Sequence, residues 1–332
     1  WLKRGLHALN MLAFVPRQGD GQRVAAMGVE KWIVQQVHPE KIDDLALEGR
    51  LAPFSTLRMD NREMVENFPP PQVIKAIAEG RQSMPSDSAK RAVYEAQMER
   101  YQEKKERKQE SANGDTSKTV ASTKSAPMAD DEQARRREDR LYADLKAEDL
   151  LDLPPDQRMK AILKMSPEEQ RALGTSLKGD RRDEFMEGMK PQQRETLMAL
   201  NNPQQVVTSE LVQSKLLRAI YSERQLNEVM TDFWFNHFNV FIGKGVDGYL
   251  LTSYERDVIR PHALGKFEDL LVATAQSPAM LFYLDNWLSV GPDSDFAIGI
   301  SRRNNNYTCR APPRLRRPSP STQAKSKRSG LK

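Results

Sequence analysis

The segment Gln225-Leu226-Asn227-Glu228-Val229-Met230-Thr231-Asp232-Phe233-Trp234-Phe235-Asn236-His237-Phe238-Asn239-Val240-Phe241 decides the reading of the fold. Leu226, Val229, Met230, Phe233, Trp234, His237, Val240 and Phe241 recur at the i, i+3, i+4, i+7 spacing of a helix, and Phe235 and Phe238 add aromatic bulk to the other side. The expectation is a helix buried almost all round. Upstream, Val207, Leu211, Val212, Leu216, Leu217 and Ile220 form another helical stripe, and Ser222 with Gln225 predicts a capping box between the two. Downstream, Gly243, Gly245 and Gly248 predict a loop, and Thr252 with Glu255 a capped helix that Pro261 interrupts. Residues 266–276 read as more helix, and Ser277-Pro278 starts a last one that reaches Trp287. No segment reads as a strand. The fold class is all-α: an irregular multi-helix bundle with a charged, partly disordered helical insertion.

Residues 204–298 are thus the expected helical core. Before it, residues 151–203 read as a module of short helices, because Pro154-Pro155, Ser166-Pro167 and Lys190-Pro191 each place proline in a first turn, where its missing N–H costs nothing. Residues 86–150 are charged helix on either side of a tip, 111–129, that holds too little apolar surface to fold; the whole reads as a solvated spacer. Residues 1–85 read as short helices, with Asp20 as one cap, Asp60 and Glu63 as a capping box, and Pro69-Pro70-Pro71 as a stop. Residues 299–332 form a basic tail.

Composition narrows the function classes. Of 332 residues, 38% are hydrophobic and 29% charged, so a true core occupies only part of the chain. No run approaches the roughly 18 apolar residues of a membrane span. The first residue, Trp1, predicts a start further upstream that could have carried an export signal. The lone Cys309 leaves no internal disulfide and no cysteine-rich metal site. The net charge of +5 suggests a nucleic-acid partner until it is located. Ten basic and no acidic residues fall in 301–332, which leaves 41 basic against 46 acidic in residues 1–300. A mildly acidic body argues against a phosphate-tracking face.

Asp232, Asn236 and Asn239 share one face of the central helix, with His237 beside them. Either these groups satisfy one another and lock the bundle, or they open a polar pocket completed by Glu255, Arg256, Asp257, Arg260, His262 or Asp285. In the second case His237 with carboxylates is the chemistry of a general base or a divalent-metal site, and the candidate catalytic residues are His237, Asp232, Asn236 and Arg260. The spacing names no cofactor. Common catalytic signatures are absent from the sequence, and Gly243-Lys244-Gly245 is too short for a phosphate loop and reads as a turn. His7 and His38 are isolated and take no assigned role.

Asp232-Phe233-Trp234-Phe235-Asn236-His237-Phe238-Asn239, Tyr254-Glu255-Arg256-Asp257-Val258-Ile259-Arg260, Ala263-Leu264-Gly265-Lys266-Phe267 and the segment from Pro278 to Asn286 together resemble the bacterial family catalogued as domain of unknown function 1800. His7-Ala8-Leu9-Asn10, with Phe14, Pro16, Arg17, Gly19 and Asp20, is similar to that family's opening motif, so the resemblance spans residues 7 to about 298. It implies a largely helical, often exported, periplasmic or extracellular protein, commonly encoded beside a sulfatase-like partner, with no established activity. The chain departs from the pattern at Met11 and Val15, where the family usually has Arg and Gly. It departs again after Asn286, where the family continues into a helix rich in Asn, Glu, Arg and His. The abrupt turn to Arg, Pro, Ser and Lys predicts a frameshifted or truncated end, with a genuine basic tail for an acidic partner or nucleic acid as the competing reading. The expected function is a binding or scaffold protein of the cell envelope without catalysis; the alternative is a hydrolase-like or metal-dependent enzyme whose site centres on His237.

Overall fold

The computed structural model describes residues 2–114, 141–177 and 179–291, and among them every regular element is a helix. In order these are α1 (Leu2–Leu12), α2 (Asp20–Met27), α3 (Val29–Gln36), α4 (Leu45–Leu51), α5 (Asn61–Asn67), α6 (Pro71–Ala78), α7 (Ser88–Gly114) and α8 (141–151). There follow α9 (Pro155–Lys164), α10 (Pro167–Ser176), α11 (Asp180–Met186), α12 (Pro191–Asn201), α13 (Pro203–Tyr221) and α14 (Gln225–His237). Helix α15 runs over Asp247–Ser253, continues as a π-helix over Tyr254–Ile259 and ends at Arg260–His262; α16 (Phe267–Gln276) and α17 (Pro278–Tyr283) complete the set. Residues up to Asn286 form one unit, and from Trp287 a second unit begins, of which only 287–291 are described.

The helix starts follow local chemistry. Proline occupies the first turn of α6, α9, α10, α12, α13 and α17. Asp60 with Glu63 and Ser166 with Glu169 form reciprocal capping boxes, each satisfying donors that a first turn leaves orphaned. Three expected caps take other roles. Asp20 is the first residue of α2, because Gly19 turns the chain at φ 91°; its carboxylate accepts instead from the Arg17 N–H at 2.9 Å and Arg23 at 2.7 Å. Ser222 ends α13, and its buried hydroxyl donates to Asp44 at 2.7 Å. Thr252 lies inside α15, so no capped helix begins there. The Arg260 N–H donates to the Glu255 carbonyl five residues back, and this widened turn precedes Pro261, which has no N–H to offer the next one.

The largest core cluster draws on α5, α7 to α13 and α15, with Met64, Val93, Ala96, Ala147, Leu150, Ile162, Leu173, Phe185, Leu200, Val207 and Tyr249 among its residues. The base of the charged insertion is therefore packed: Val93 is 2% and Ala147 0% exposed, in place of the solvated spacer its composition predicts. Alanines at 92, 96, 143 and 147 bring the helices close while adding little apolar character to the sequence. The tip expected to be disordered, 111–129, falls mostly outside the described residues. Arg158, 6% exposed, spends its guanidinium on the carbonyls of Leu150, Leu151, Leu153 and Phe185, closing the end of α8.

A second cluster joins Leu211 of α13 to Val240, Leu251, Tyr254, Ile259, Leu270 and Ala279. Helix α14 packs against α13, the π-segment with its Arg260–His262 end, α1 and α3, and the side that carries Phe233, Asn236 and His237 is exposed. Phe233 is 52% exposed and His237 is exposed, so the expected all-round burial gives way to one anchored face.

Candidate functional site

The face that α14 turns inward carries charge. Glu228, Thr231 and Asp232 occupy i, i+3 and i+4 and meet Lys215 and Arg218, at i and i+3 on α13. The third wall is the π-segment with Glu255 and Arg260. In an ordinary α-helix two residues five apart point about 140° away from each other, since each step turns about 100°. The π-register puts these two together, and the Arg260 guanidinium donates to Glu255 at 2.8 Å and to Glu228 at 2.6 Å. Lys215 ties Asp232 at 3.0 Å to Glu255 at 3.4 Å, with its ammonium 4.0 Å from the centre of the Phe235 ring.

These charges are largely withdrawn from solvent, with Glu255 and Glu228 each 5% exposed. Burial pushes the Glu255 carboxyl up, but Lys215, Arg260 and Arg218 outweigh it and hold the group below the usual carboxylate range. Burial likewise works against the Arg260 guanidinium, and Glu228 and Glu255 more than restore it. Arg218, desolvated and beside Arg260, is pushed down.

The network encloses a cavity of about 100 Å³ lined by Phe14, Lys215, Glu228, Thr231, Asp232, Glu255 and Arg260. A smaller one of about 40 Å³, between Arg218, Thr252, Glu255 and Arg260, adjoins it. Two buried hydroxyls at these cavities, Thr231 Oγ1 and Thr252 Oγ1, have no hydrogen-bond partner, and Glu255 Oε2 has only the ion pair with Lys215. An unmade hydrogen bond in a buried site costs about 1–3 kcal/mol, so such atoms mark positions that a ligand or water would fill.

The four candidate residues separate. Asp232 and Arg260 belong to the cluster. Asn236 lies on the exposed side and donates back to the Asp232 carbonyl at 2.8 Å and carboxylate at 3.1 Å. His237 stacks on Phe233 at 6.0 Å and meets the Trp234 and Phe238 rings edge-on, away from the cavity lining. Of the completing residues, Arg256 pairs with Asp257 and clamps the carbonyls of Leu57 and Met59. A ring nitrogen of His262 lies 2.7 Å from the Val258 carbonyl, and Asp285 binds Lys244. Lys215, Arg218 and Glu228 were missed by sequence reasoning, although charges three and four apart on otherwise apolar helices are the signal that marks them. Among the described residues, no three His, Cys, Asp or Glu side chains are grouped to hold a metal; the cluster's carboxylates are interleaved with cations.

The segments that frame this site, from Phe14 through the π-segment, lie within residues 7–308, which match the model of the family described as protein of unknown function (DUF1800). The chain belongs to that family. No curated protein and no solved structure matches it. The DUF1800 match takes in α14 and α15 whole, so the pocket is built from the family's own part of the chain. No described helix is long and apolar enough to cross a membrane.

Proposed function

We propose that this DUF1800 protein is a helical binding protein that recognises a small zwitterionic molecule in the cavity between α13, α14 and the π-segment. The carrying observation is the open hydrogen-bonding position at Thr231 Oγ1, beside Glu255 Oε2 whose one contact is the Lys215 ammonium at 3.4 Å, inside a site that presents Lys215 and Arg260 beside Glu228 and Asp232. A ligand with both an ammonium and a carboxylate finds a partner for each charge, and the site needs no net charge change to accept it. Binding is favoured over catalysis because Glu255 is held ionised by three cations and Arg260 by two carboxylates. Neither is poised to exchange a proton near neutral pH. An envelope location and a scaffold role toward a sulfatase-like partner rest on the family resemblance. The enzyme alternative centred on His237 gains no support from a ring stacked on the exposed side of α14.

Titration calorimetry with glycine, serine, glutamate and glycine betaine, against glycerol as the uncharged control, tests this reading. At least one zwitterion is expected to bind, and Thr231→Val to weaken it about tenfold without lowering the melting temperature, because the hydroxyl it removes has no partner in the folded protein. Failure of all four to bind, or equal binding by the variant, rejects the proposal.

A further inference from the structure

A second cavity lies outside the charged pocket, at the junction of α6, α7, the α12–α13 turn and the start of α15. Its volume is about 440 Å³, within the range of roughly 300–1,000 Å³ usual for small-molecule sites. Pro69, Pro71 and Ile74 supply an apolar floor, and Tyr101 and Tyr249 add aromatic walls. The opposite rim is cationic: Arg100, Lys104, Lys105 and Lys108.

The spacing on α7 explains the rim. Gln97, Arg100, Tyr101, Lys104, Lys105 and Lys108 follow i, i+3, i+4, i+7, i+8 and i+11, which is one helical stripe. Of the acids of the same helix, Glu103 pairs with Arg171 of α10 and Glu95 with Arg91, while the charges of Glu103 and Glu99 also reach Arg100. Glu79, at the end of α6, feels Lys105 but is hydrogen-bonded by Arg81. Among the described residues, no carboxylate lies within ion-pair distance of Lys104, Lys105 or Lys108. Arg100 donates to Asn201 Oδ1 at 2.7 Å, while burial and then the neighbouring Arg171 push its guanidinium below the ordinary value. An added anion would relieve that. The start of α13, a helix of 19 residues, opens on the same cavity through Asn202, Pro203 and Gln204 and adds its positive end.

We infer that this cleft binds an organic anion with an apolar body: an acyl or aryl chain on the Pro69, Pro71, Ile74 and Tyr249 floor, and a carboxylate or phosphate headgroup against Arg100, Lys104 and Lys108. The apolar floor gives a bare inorganic anion nothing to bury, and the cationic rim gives a neutral or cationic amphiphile no partner.

Calorimetric titration of the full chain with octanoate, octyl phosphate, octanol, octylamine and inorganic phosphate separates these contributions. Octanoate or octyl phosphate is expected to bind at least tenfold more tightly than octanol, octylamine or inorganic phosphate, and whichever of the two is tighter identifies the headgroup. The double variant Lys104→Glu/Lys108→Glu, at two exposed positions, is expected to lower that affinity at least tenfold with an unchanged melting temperature. Thr231→Val is expected to leave it unaltered, so this site stands or falls apart from the zwitterion pocket. Equal binding of octanol and octanoate, tighter binding of inorganic phosphate than of octyl phosphate, or full affinity in the charge-reversed variant overturns the inference.

Discussion

Helices α7 and α14 invert each other's sequence signals. Helix α7 is dense in Lys, Arg and Glu, yet Ala92, Val93, Tyr94 and Ala96 in its second turn are buried, with Val93 at 2% and Tyr94 at 4% exposure. Helix α14 is dense in aromatics, yet Phe233 is 52% exposed and the face it turns inward is charged. The difference lies in the neighbours. Helix α7 has α6, α10 and α12 against it and needs only small residues to close the contact; α14 packs Trp234, Phe235 and Phe238 on the second cluster but meets α13 and the π-segment through ions. Side-chain character states what a face can bury, and the number and chemistry of neighbours decide what it does bury.

The sharpest way to break this comparison is a carboxylate placed on each helix. Val93→Asp is expected to cost more than about 4 kcal/mol, because it buries an unpaired charge inside the main core. Phe233→Asp is expected to cost less than about 1 kcal/mol, through lost contact with Trp234 at 4.8 Å. Urea unfolding of both variants measures the pair, and equal losses would mean that α14 is anchored by its aromatics after all.

A somewhat smaller effect tests the anchor of α14. Arg260→Met leaves Glu228 and Glu255 buried without their shared partner, and the expected loss is about 3–5 kcal/mol. Adding Glu255→Gln to that variant should recover part of it, since a neutral amide leaves one buried charge fewer. A loss below about 1 kcal/mol would show the network to be solvated in solution.

The smallest expected effect is a pH dependence at α13, the helix shared by both core clusters. Glu210, 8% exposed, accepts from the Thr56 N–H and hydroxyl, and when protonated it donates to the Glu195 carboxylate. Burial pushes its carboxyl from 4.5 up to about 7, with the Glu195 charge adding to the shift and the Thr56 hydroxyl opposing it. A carboxyl whose folded pKa is raised keeps its proton better when folded, so its stabilisation is full below about pH 4.5 and is lost as pH rises through about 7. Melting temperature is expected to fall over that window, and Glu210→Gln to flatten the decline. An unchanged slope in the variant would place the titration elsewhere.

Much of the local structure was legible in the residues. Asp60 with Glu63, Ser166 with Glu169, and the prolines at 155, 167, 191 and 278 set helix starts that the structure keeps, because a cap involves only groups within four positions of one another. Thr252 with Glu255 has the same spacing and does not start a helix, because α15 already runs through it from Asp247. At the site, Asp232 and Arg260 were legible as polar groups on apolar helices. Their partners were not, since Glu228 and Arg260 lie 32 positions apart and meet only through the packing of α14 on α15.

The sequence by itself determined the all-helical class, several helix starts and the family, because hydrogen-bonded turns and capping depend on near neighbours along the chain. The tertiary structure alone decided which helix faces are buried, that Glu255 and Arg260 share one side of a π-turn, and that His237 stands apart from the charged pocket. Those outcomes depend on the register and neighbours of α13, α14 and α15, and the cost of desolvating a charge is set by what lies across the interface rather than by its position in the chain.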